Sequence, residues 1–216
     1  MRIIAHRGWW QNNKEKNSMI SFQKAFLNGY GVETDLRDYC GQLVISHNVA
    51  DCNSVLSEEL FELYRQYGNN VPLALNIKSD GIQDILREQL EKYKVTNYFV
   101  FDMSVPEMVI YKQKNFQFFT RSSDIEKECV LYQDASGIWM DTFYDDDWKL
   151  FDSAKEGLNA GKCVAAVSPE LHGKSRQKMW DRIKQEHMNT EEAFYLCTDY
   201  PEEAKSAMKQ FEHRSL

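Results

Sequence analysis

Short β-rich segments alternate with longer amphipathic stretches along most of the chain. The segments combine β-branched and aromatic residues and are too short for helices. They predict strands over 2–6, 31–36, 72–78, 98–102, 116–121, 137–142, 163–169 and 194–199. A further short strand over 43–47 is predicted to pair with the end of the second strand through the turn around Gly41.

The stretches between the strands have apolar residues at three- and four-residue spacing, which is typical of helices with one buried face. Asn17 and Ser18 can cap the first helix, and Ser104-x-x-Glu107 and Ser123-x-x-Glu126 have the form of capping boxes. Further helices are predicted over 57–67, 82–93, 146–158 and 174–187, and from Pro201 onward.

Eight strands alternating with eight helices predict an α/β fold with a parallel sheet. This number favours closure into a (β/α)8 TIM barrel, as a single domain over residues 1–216. An open Rossmann-like sheet is the alternative, but no Gly-x-Gly-x-x-Gly follows the first strand.

Composition excludes several classes of protein. Of the 216 residues, 43% are hydrophobic and 27% are charged, as in an ordinary globular protein. The net charge of −7, without a stripe of Lys and Arg, argues against nucleic acid as a partner. The longest apolar runs, 163–167 and 193–197, are too short for a transmembrane segment.

The first residues lack an apolar leader, so we expect a cytoplasmic protein. The five cysteines are an odd number without Cys-x-x-Cys spacing, which fits neither a disulfide framework nor a zinc site. We expect them to be buried thiols.

Polar residues gather at the carboxyl ends of the predicted strands. Because barrel chemistry takes place at that end, they are expected to converge on one mouth, although each could instead cap the next helix. The set comprises His6, Glu33, Asp35, Asn76, Lys78, Asp102, Arg121, Asp141, Glu170 and Asp199.

Two pairs in this set have the two-residue spacing that places side chains on one face of a strand. Glu33 and Asp35 would repel each other unless a cation neutralises them, and their hard oxygens suit Mg²⁺ or Ca²⁺. The alternative is an ion pair of Glu33 with Lys78. Asn76 and Lys78 share the spacing on the neighbouring strand, where Lys78 could bind a phosphate oxygen or merely balance Glu33.

Two histidines follow strands on either side of the carboxylates. His6 ends the first strand and His47 ends the extra strand, so both could act as general acid and base on a metal-bound phosphate. Either could instead be a zinc ligand or a core histidine. His172, in the loop after the seventh strand, is a further candidate for substrate contact.

The order of these residues resembles that of the glycerophosphodiester phosphodiesterase family. The similarity lies in Ile4-Ala5-His6-Arg7-Gly8, Asn17-Ser18, Phe22-x-x-Ala25, Gly31-Val32-Glu33-Thr34-Asp35, Gly41-x-Leu43-Val44-Ile45-Ser46-His47 and Thr198-Asp199-Tyr200-Pro201. It is dense over residues 3–48, returns at 72–78 and 194–204, and is vague between them.

The resemblance implies a (β/α)8 barrel, a divalent metal and cleavage of a phosphodiester by two histidines, often with attack by a neighbouring substrate hydroxyl. By that resemblance His6 and His47 would be the acid/base pair. Glu33 and Asp35 would bind the metal, and Arg7 and Lys78 would hold phosphate oxygens.

Several positions depart from the family pattern. Asn76 replaces an expected Glu, so the metal should bind more weakly unless Asp102, Asp141 or Glu170 substitutes. An Asp is usual at Asn48, and an acidic residue at Lys16. At 167–170, Val-Ser-Pro-Glu replaces the usual Trp-Thr-Val-Asn.

The chain is also short after His47, where only about ten residues precede the next predicted helix. Members with an insertion domain there cover the mouth with it, so we expect a more open site here, suited to a bulky or polymer-linked phosphodiester. The expected partner is thus a small-molecule or polymer-linked phosphodiester substrate. Trp9 could stack on the sugar or lipid part of such a substrate, or pack at the rim.

The leading hypothesis is therefore a metal-dependent phosphodiester hydrolase acting on a glycerophosphodiester-like substrate. The expected substrate-binding residues are Arg7, Lys78, Glu170 and Trp9, and the expected metal ligands are Glu33, Asp35 and Asn76. One alternative is a lyase that stops at a cyclic phosphate. The other is a barrel that binds phosphorylated ligands without turnover, which Asn76 and Asn48 favour.

Overall fold

A computed structural model describes residues 1–144 and 150–209 of the chain. Within these ranges the strands are β1 Arg2–His6, β2 Gly31–Tyr39, β3 Gln42–Ile45, β4 Val55–Leu56, β5 Leu73–Ile77, β6 Tyr98–Phe101, β7 Phe119–Ser123, β8 Gly137–Asp141, β9 Cys163–Val167 and β10 Phe194–Thr198. The helices are α1 Met19–Leu27, α2 Ser57–Tyr67, α3 Gln83–Lys92, α4 Val105–Gln113, α5 Leu150–Asn159, α6 Gln177–Gln185 and α7 Pro201–Lys209.

Contacts within the chain cluster into two compact units. The N-terminal unit is Ala5–Phe119, and the C-terminal unit is Thr120–Leu216 together with Met1–Ile4. Each is described by itself below, and a single domain over residues 1–216 stays a prediction.

Strand β2 organises the N-terminal unit. It pairs in parallel with β5, which pairs in parallel with β6. In its C-terminal part, β2 pairs antiparallel with β3, as the sequence predicts. Strand β3 in turn pairs antiparallel with the short β4. The register of β2 and β5 places Asp35 opposite Asn76, so residues from two strands meet at one level of the sheet.

Helix α1 begins where the sequence predicts, because the Ser18 hydroxyl accepts a hydrogen bond from the backbone N–H of Ser21. Its buried face carries Phe22, Ala25 and Phe26. The Phe26 ring meets the ring of Tyr64 on α2 edge-on, with centroids 5.5 Å apart. This aromatic contact packs α1 against α2.

Gly8 is required in the loop between β1 and α1. Its φ is +86°, and a Cβ added there would lie 2.3 Å from the hydroxyl oxygen of Ser21. Any side chain would therefore meet both backbone strain and a steric clash. The glycine lets the loop after His6 and Arg7 pass close to α1.

In the C-terminal unit, β8, β9 and β10 pair in parallel order. Alternate strand residues pack against α5, α6 and α7. The buried core comprises Ile138, Met140, Phe151, Ala154, Val164, Ala166, Met179, Trp180, Ile183, Met188, Phe194, Leu196, Ala204 and Met208.

The predicted helix after the Ser123 capping box is wrong. The Ser123 hydroxyl does accept the N–H groups of Ile125 and Glu126, but residues 124–136 form turns without a helix. Leu131 adopts a φ of +53°, which breaks helical geometry, and the Thr120 hydroxyl donates to the Val130 carbonyl at 2.7 Å. The cap signal is local, and tertiary contacts override it. The start of the helix predicted over 146–158 lies outside the described residues.

None of the five cysteines, all within the described part of the chain, forms a disulfide, and their predicted burial is wrong for most of them. Only Cys197 is buried, whereas Cys40 and Cys52 are exposed. Both exposed thiols lie in short connections beside β3, where the chain turns at the surface. No helix among the described residues is long and apolar enough to cross a membrane.

Candidate active site

The candidate site is built around two buried carboxylates on β2. Glu33 and Asp35 are 2% and 1% exposed. Because side chains alternate along a strand, both point to the face opposite Val32 and Leu36, which are fully buried in the apolar core. Two carboxylates are thus held side by side, away from bulk water.

Backbone hydrogen bonds to β2 bring the other candidate residues to this point. Arg7 N–H donates to the Glu33 carbonyl at 2.9 Å, and Lys78 N–H donates to the Leu36 carbonyl at 2.9 Å. Ser46 N–H donates to the Asp35 carbonyl at 3.1 Å and so places the following His47. Three separate connections are therefore fastened to one strand.

Both predicted catalytic histidines contact the carboxylate pair. His6 Nε2 lies 3.8 Å from Glu33 Oε2, and His47 Nδ1 lies 3.2 Å from Asp35 Oδ1. The His47 side chain is 45% exposed, so its ring is accessible from outside the cluster. One imidazole thus stands beside each carboxylate.

Besides Asp35, His47 also contacts Arg7, whose Nη2 lies 2.8 Å from His47 Nδ1. A guanidinium can only donate, so this bond needs Nδ1 without a proton, whereas a bond from Nδ1 to Asp35 needs Nδ1 with one. The two bonds are alternatives, and the proton on His47 selects between them.

Two side-chain cations lie near Asp35. Arg7 Nε is 3.4 Å from Asp35 Oδ2, and Lys78 Nζ is 3.5 Å from Asp35 Oδ1. Both side chains are about one-fifth exposed, so they can reach a bound ligand as well as the carboxylate. Lys78 therefore pairs with Asp35 rather than in the predicted alternative pair with Glu33.

The two carboxyl groups differ in their protonation. Burial, and then the charge of Asp35, raise the pKa of Glu33 to about 7. Burial would also raise the pKa of Asp35, but a hydrogen bond from Asn17 and the charges of Lys78 and Arg7 hold that pKa below its ordinary value. Without further positive charge, Glu33 would carry a proton for much of the time near neutral pH.

Asn76 lies opposite Asp35 on the neighbouring strand β5. It is 7% exposed, and its Nδ2 donates to Asp102 Oδ2 at 3.1 Å. Among the described residues, Oδ1 of Asn76 is buried and has no hydrogen-bond partner. A buried, unsatisfied acceptor beside two carboxylates fits a hard cation, because an acceptor left unmatched costs free energy.

Within the described ranges, no group of three or more His, Cys, Asp and Glu side chains is arranged to hold a metal ion. A metal at this cluster would therefore need the neutral oxygen of Asn76 beside Glu33 and Asp35. The donor set is all oxygen, which suits Mg²⁺ or Ca²⁺ better than zinc.

Two positioning residues were missed from the sequence. Asn17, interpreted there only as a cap, donates to Asp35 Oδ2 at 2.9 Å and accepts from the Thr34 hydroxyl at 2.9 Å. Arg37 donates to the carbonyls of Lys78 at 3.0 Å and His47 at 3.3 Å. The Glu33, Asp35, Arg37 alternation was the available signal, but the second strand was predicted to end at residue 36.

The Trp9 ring contacts neighbours in α1 and the turn after it. It meets the Tyr30 ring edge-on at 5.5 Å, and Lys24 Nζ lies 4.7 Å from its centroid. These contacts correspond to packing at the rim, the second of the two roles considered for Trp9. Substrate contact by Trp9 stays a prediction.

Glu170 belongs to the C-terminal unit, in the turn after β9. It accepts hydrogen bonds from the hydroxyls of Ser168 and Thr198, and from the Asp199 N–H at 3.2 Å. The Trp180 indole N–H donates to the Ser168 hydroxyl at 2.9 Å. Glu170 therefore ties together the ends of β9 and β10, and its predicted role in substrate binding remains a prediction.

His172 forms a second cluster in the C-terminal unit. Its Nε2 lies 2.7 Å from Asp141 Oδ1, and its ring packs against Phe143 with centroids 5.0 Å apart. The hydrogen bond with Asp141 raises the pKa of His172 above its ordinary value. The Asp124 carboxylate accepts the N–H of Phe143 at 2.8 Å and so fixes this loop.

A scan against protein-family models and a search of curated proteins found no match. Solved structures do match along nearly the whole chain. A glycerophosphodiester phosphodiesterase from Parabacteroides distasonis shares 14% identity, with 97% of each chain covered and a TM-score of 0.71. A candidate glycerophosphodiester phosphodiesterase from Galdieria sulphuraria shares 17% identity, with 96% of this chain and 97% of that chain covered and a TM-score of 0.76.

A phosphodiesterase from Oleispira antarctica, solved in complex with the product sn-glycerol-3-phosphate, shares 17% identity over 97% of each chain, with a TM-score of 0.69. At these identities the likeness demonstrates the fold. The resemblance noted from the sequence is thereby confirmed at the level of structure: this chain has the (β/α)8 TIM-barrel fold of the glycerophosphodiester phosphodiesterases.

Proposed function

We propose that the chain is a metal-dependent phosphodiester hydrolase acting on a glycerophosphodiester-like substrate. The observation that carries the proposal is the contact of both imidazoles, His6 and His47, with the buried carboxylate pair. A pure binding site would not require two titratable groups on either side of paired acids. Similar solved structures are described as glycerophosphodiester phosphodiesterases, and one contains sn-glycerol-3-phosphate, which supports the same reaction class.

Glu33, Asp35 and Asn76 would hold a divalent cation, Mg²⁺ or Ca²⁺. The cation would neutralise phosphate charge and polarise the phosphorus–oxygen bonds. The unpartnered oxygen of Asn76 and the raised pKa of Glu33 support this proposal. A cation would give the Asn76 oxygen a partner, and its charge would lower the pKa of Glu33. With one neutral ligand, we expect weaker binding than at a site with three carboxylates.

Arg7 and Lys78 would hold the non-bridging phosphate oxygens. Both cations are partly exposed and lie within 3.5 Å of Asp35, so an incoming phosphate can share them with that carboxylate. Arg37 would keep His47 and Lys78 in register through their carbonyls. The reacting phosphorus would thus sit where donors already converge.

The two histidines would move the protons. One imidazole takes the proton from the attacking hydroxyl, either of water or of the substrate, as the new bond to phosphorus forms. The other gives its proton to the departing alcohol oxygen as the old bond breaks. For His47, a proton on Nδ1 would also replace the bond from Arg7 by one to Asp35, which frees the guanidinium for phosphate.

Phosphorus NMR of a panel of glycerophosphodiesters with Mg²⁺ or Ca²⁺ tests the proposal. We expect cleavage to a phosphomonoester that stops with chelator and falls by about a hundredfold to ten-thousandfold in His6→Ala and His47→Ala. The exposed His187→Asn variant is the matched control and should keep full activity. A cyclic phosphate as the final product would instead identify a lyase.

Calorimetry with the same esters separates the remaining alternative. Binding of an uncleaved ester, with no measurable affinity for either cation, would identify a non-catalytic binding barrel and contradict the proposal. The cytoplasmic location expected from the sequence stays a prediction, which cell fractionation can test.

A further inference from the structure

An open cleft adjoins the candidate site within the N-terminal unit. Its volume is about 340 Å³, within the range of about 300–1,000 Å³ typical of small-molecule sites. His47 and Arg7 are among the residues that line the cleft. The rest of the wall includes the charged residues Lys16 and Asp51 and is rich in short polar side chains, namely Asn13, Asn17, Ser46, Asn48, Asn53 and Ser54.

We infer that this cleft binds a polyhydroxylated alcohol, such as a sugar or cyclitol, esterified to the phosphate. The inference rests on the proposed phosphodiesterase activity and adds the class of alcohol that the site selects. Its basis is the chemistry of the cleft wall and the position of the cleft next to His47.

Three amides on the wall are available to a ligand. Across residues 1–144 and 150–209, no hydrogen bond engages the side chains of Asn13, Asn48 or Asn53. All three residues are exposed. Each amide offers two donors and one acceptor, and a hydroxyl is both donor and acceptor, so several amides together match an alcohol with several hydroxyls.

The wall is already shaped without a ligand. Asp51 Oδ1 accepts the Asn53 N–H at 2.8 Å, and the Ser54 hydroxyl accepts the Asp51 N–H at 3.0 Å. The Ser46 hydroxyl donates to the Asn48 carbonyl at 3.0 Å. Since these bonds order the segment in advance, less entropy is lost when a ligand binds.

The cleft also has an aliphatic component. Ile45 and Val55 line it, which gives the carbon skeleton of a polyol a surface to contact. Two aliphatic side chains are too few to bury an acyl chain, whose binding depends on apolar area. The composition therefore favours a hydrated ring over a lipid tail.

The connection to the reaction is direct. Arg7 and His47 line the cleft and also contact Asp35, so a phosphate held by Arg7 would direct one of its alcohols into the cleft. Asn17 lines the cleft as well, but its amide is committed to Asp35 and Thr34. Asn48 and Asn53 are therefore the variants that test selection without disturbing the carboxylates.

Two matched esters test the inference. Both carry propane-1,2-diol on one side of the phosphate, and they carry inositol or cyclohexanol on the other. We expect a higher kcat/KM for the inositol ester. In the double variant Asn48→Ala/Asn53→Ala, the ratio of the two kcat/KM values should fall about tenfold, the effect expected from losing two hydrogen bonds. Asn70→Ala, an exposed asparagine after α2, should keep the wild-type ratio.

Equal kcat/KM values for the two esters, or an unchanged ratio in the double variant, would overturn the inference while leaving the hydrolase intact. If neither ester is cleaved, side-chain amide signals in ¹⁵N NMR decide. Chemical-shift changes of the Asn48 and Asn53 side-chain amides with the inositol ester only would support binding of a polyhydroxylated alcohol in the cleft. They would contradict the proposed hydrolase activity. Absence of such shifts would overturn the cleft as well.

Discussion

Both units carry carboxylates on strands or directly after them, but the surroundings of these carboxylates differ. In the N-terminal unit, Glu33 and Asp35 are buried together, and an imidazole lies beside each of them. In the C-terminal unit, Glu170 is satisfied by two hydroxyls and a backbone N–H, and Asp141 by His172 and the Thr142 N–H. In the first arrangement the pKa of Glu33 is raised and the neighbouring Asn76 oxygen has no hydrogen-bond partner among the residues that the structure describes, whereas the second is complete without a ligand.

This difference separates a reaction site from a structural one better than the mere presence of acids at strand ends. A carboxylate whose lone pairs are filled by neighbouring donors stabilises the connection in which it lies. A carboxylate pair in which one pKa is raised, beside an amide oxygen without a hydrogen-bond partner, is a candidate for ligand binding.

The sharpest test of the comparison exchanges one carboxylate in each unit. Asp35→Asn should lower phosphodiesterase kcat/KM by about a thousandfold, because metal-assisted charge stabilisation and the placement of Arg7 and Lys78 are lost together. Asp141→Asn should keep kcat/KM within about threefold of the wild-type value, the range of indirect effects, since the hydrogen bonds of Asp141 are local. A comparable loss in both variants would mean that the C-terminal cluster also takes part in the reaction.

A second pair of variants compares the loops that carry the two clusters. Gly8→Ala should lower the free energy of unfolding by about 3 kcal/mol, since positive φ and overpacking against Ser21 act together. Gly173→Ala has a similar φ of +73° but nothing within 4 Å of the added Cβ. It should cost about 1 kcal/mol from backbone strain alone. Urea unfolding of both variants measures the difference, and equal losses would remove the role assigned to the Gly8 contact.

Cation affinity provides a third test. Asn76→Ala removes the neutral oxygen, and we expect Ca²⁺ or Mg²⁺ to bind about tenfold more weakly, as for loss of one ligand or its supporting group. Isothermal titration calorimetry measures the affinity, with Asn70→Ala as the control. An unchanged affinity would exclude Asn76 from the ligand set.

The smallest effect concerns pH and the C-terminal unit. The Asp141 hydrogen bond raises the pKa of His172, partial burial and Lys174 oppose this, and Asp124 adds to it. A pKa raised in the folded state contributes stability below the ordinary value of 6.5, and that stability is lost as pH rises through the folded value. Wild type should therefore lose some thermal stability as pH rises above about 6.5, and His172→Gln should flatten this slope. If the melting temperatures of wild type and His172→Gln changed with pH in parallel, this prediction would be contradicted.

Most of the strands could be predicted from the sequence because each is a short apolar segment. Its neighbours in the sheet are segments of the same kind that pair in the same way. β1 matches its predicted range, and β5, β6, β8, β9 and β10 begin and end within two residues of theirs. The connection between β7 and β8 could not be predicted, since its turns depend on bonds to Val130 and Asp124 from other parts of the fold.

The residues of the candidate site also divide into those that could be predicted from the sequence and those that could not. Glu33, Asp35, Asn76 and Lys78 could be placed together because strand alternation sets the direction of a side chain. Arg37 and Asn17 could not, because their roles depend on where loop carbonyls and a carboxylate lie in space. The direction of a strand side chain was thus accessible to sequence reasoning, whereas its contacts with groups in the loops were not.

The fastening of Arg7, Ser46 and Lys78 to β2 uses only backbone N–H and carbonyl groups. Side-chain identity in the attached connections is therefore unconstrained by that attachment. Segments such as 48–54, which follow His47, could be exchanged for those of other barrels while His47 and the carboxylates keep their place. Strand β2 would then keep the catalytic residues in place while the exchanged segment changes the substrate preference.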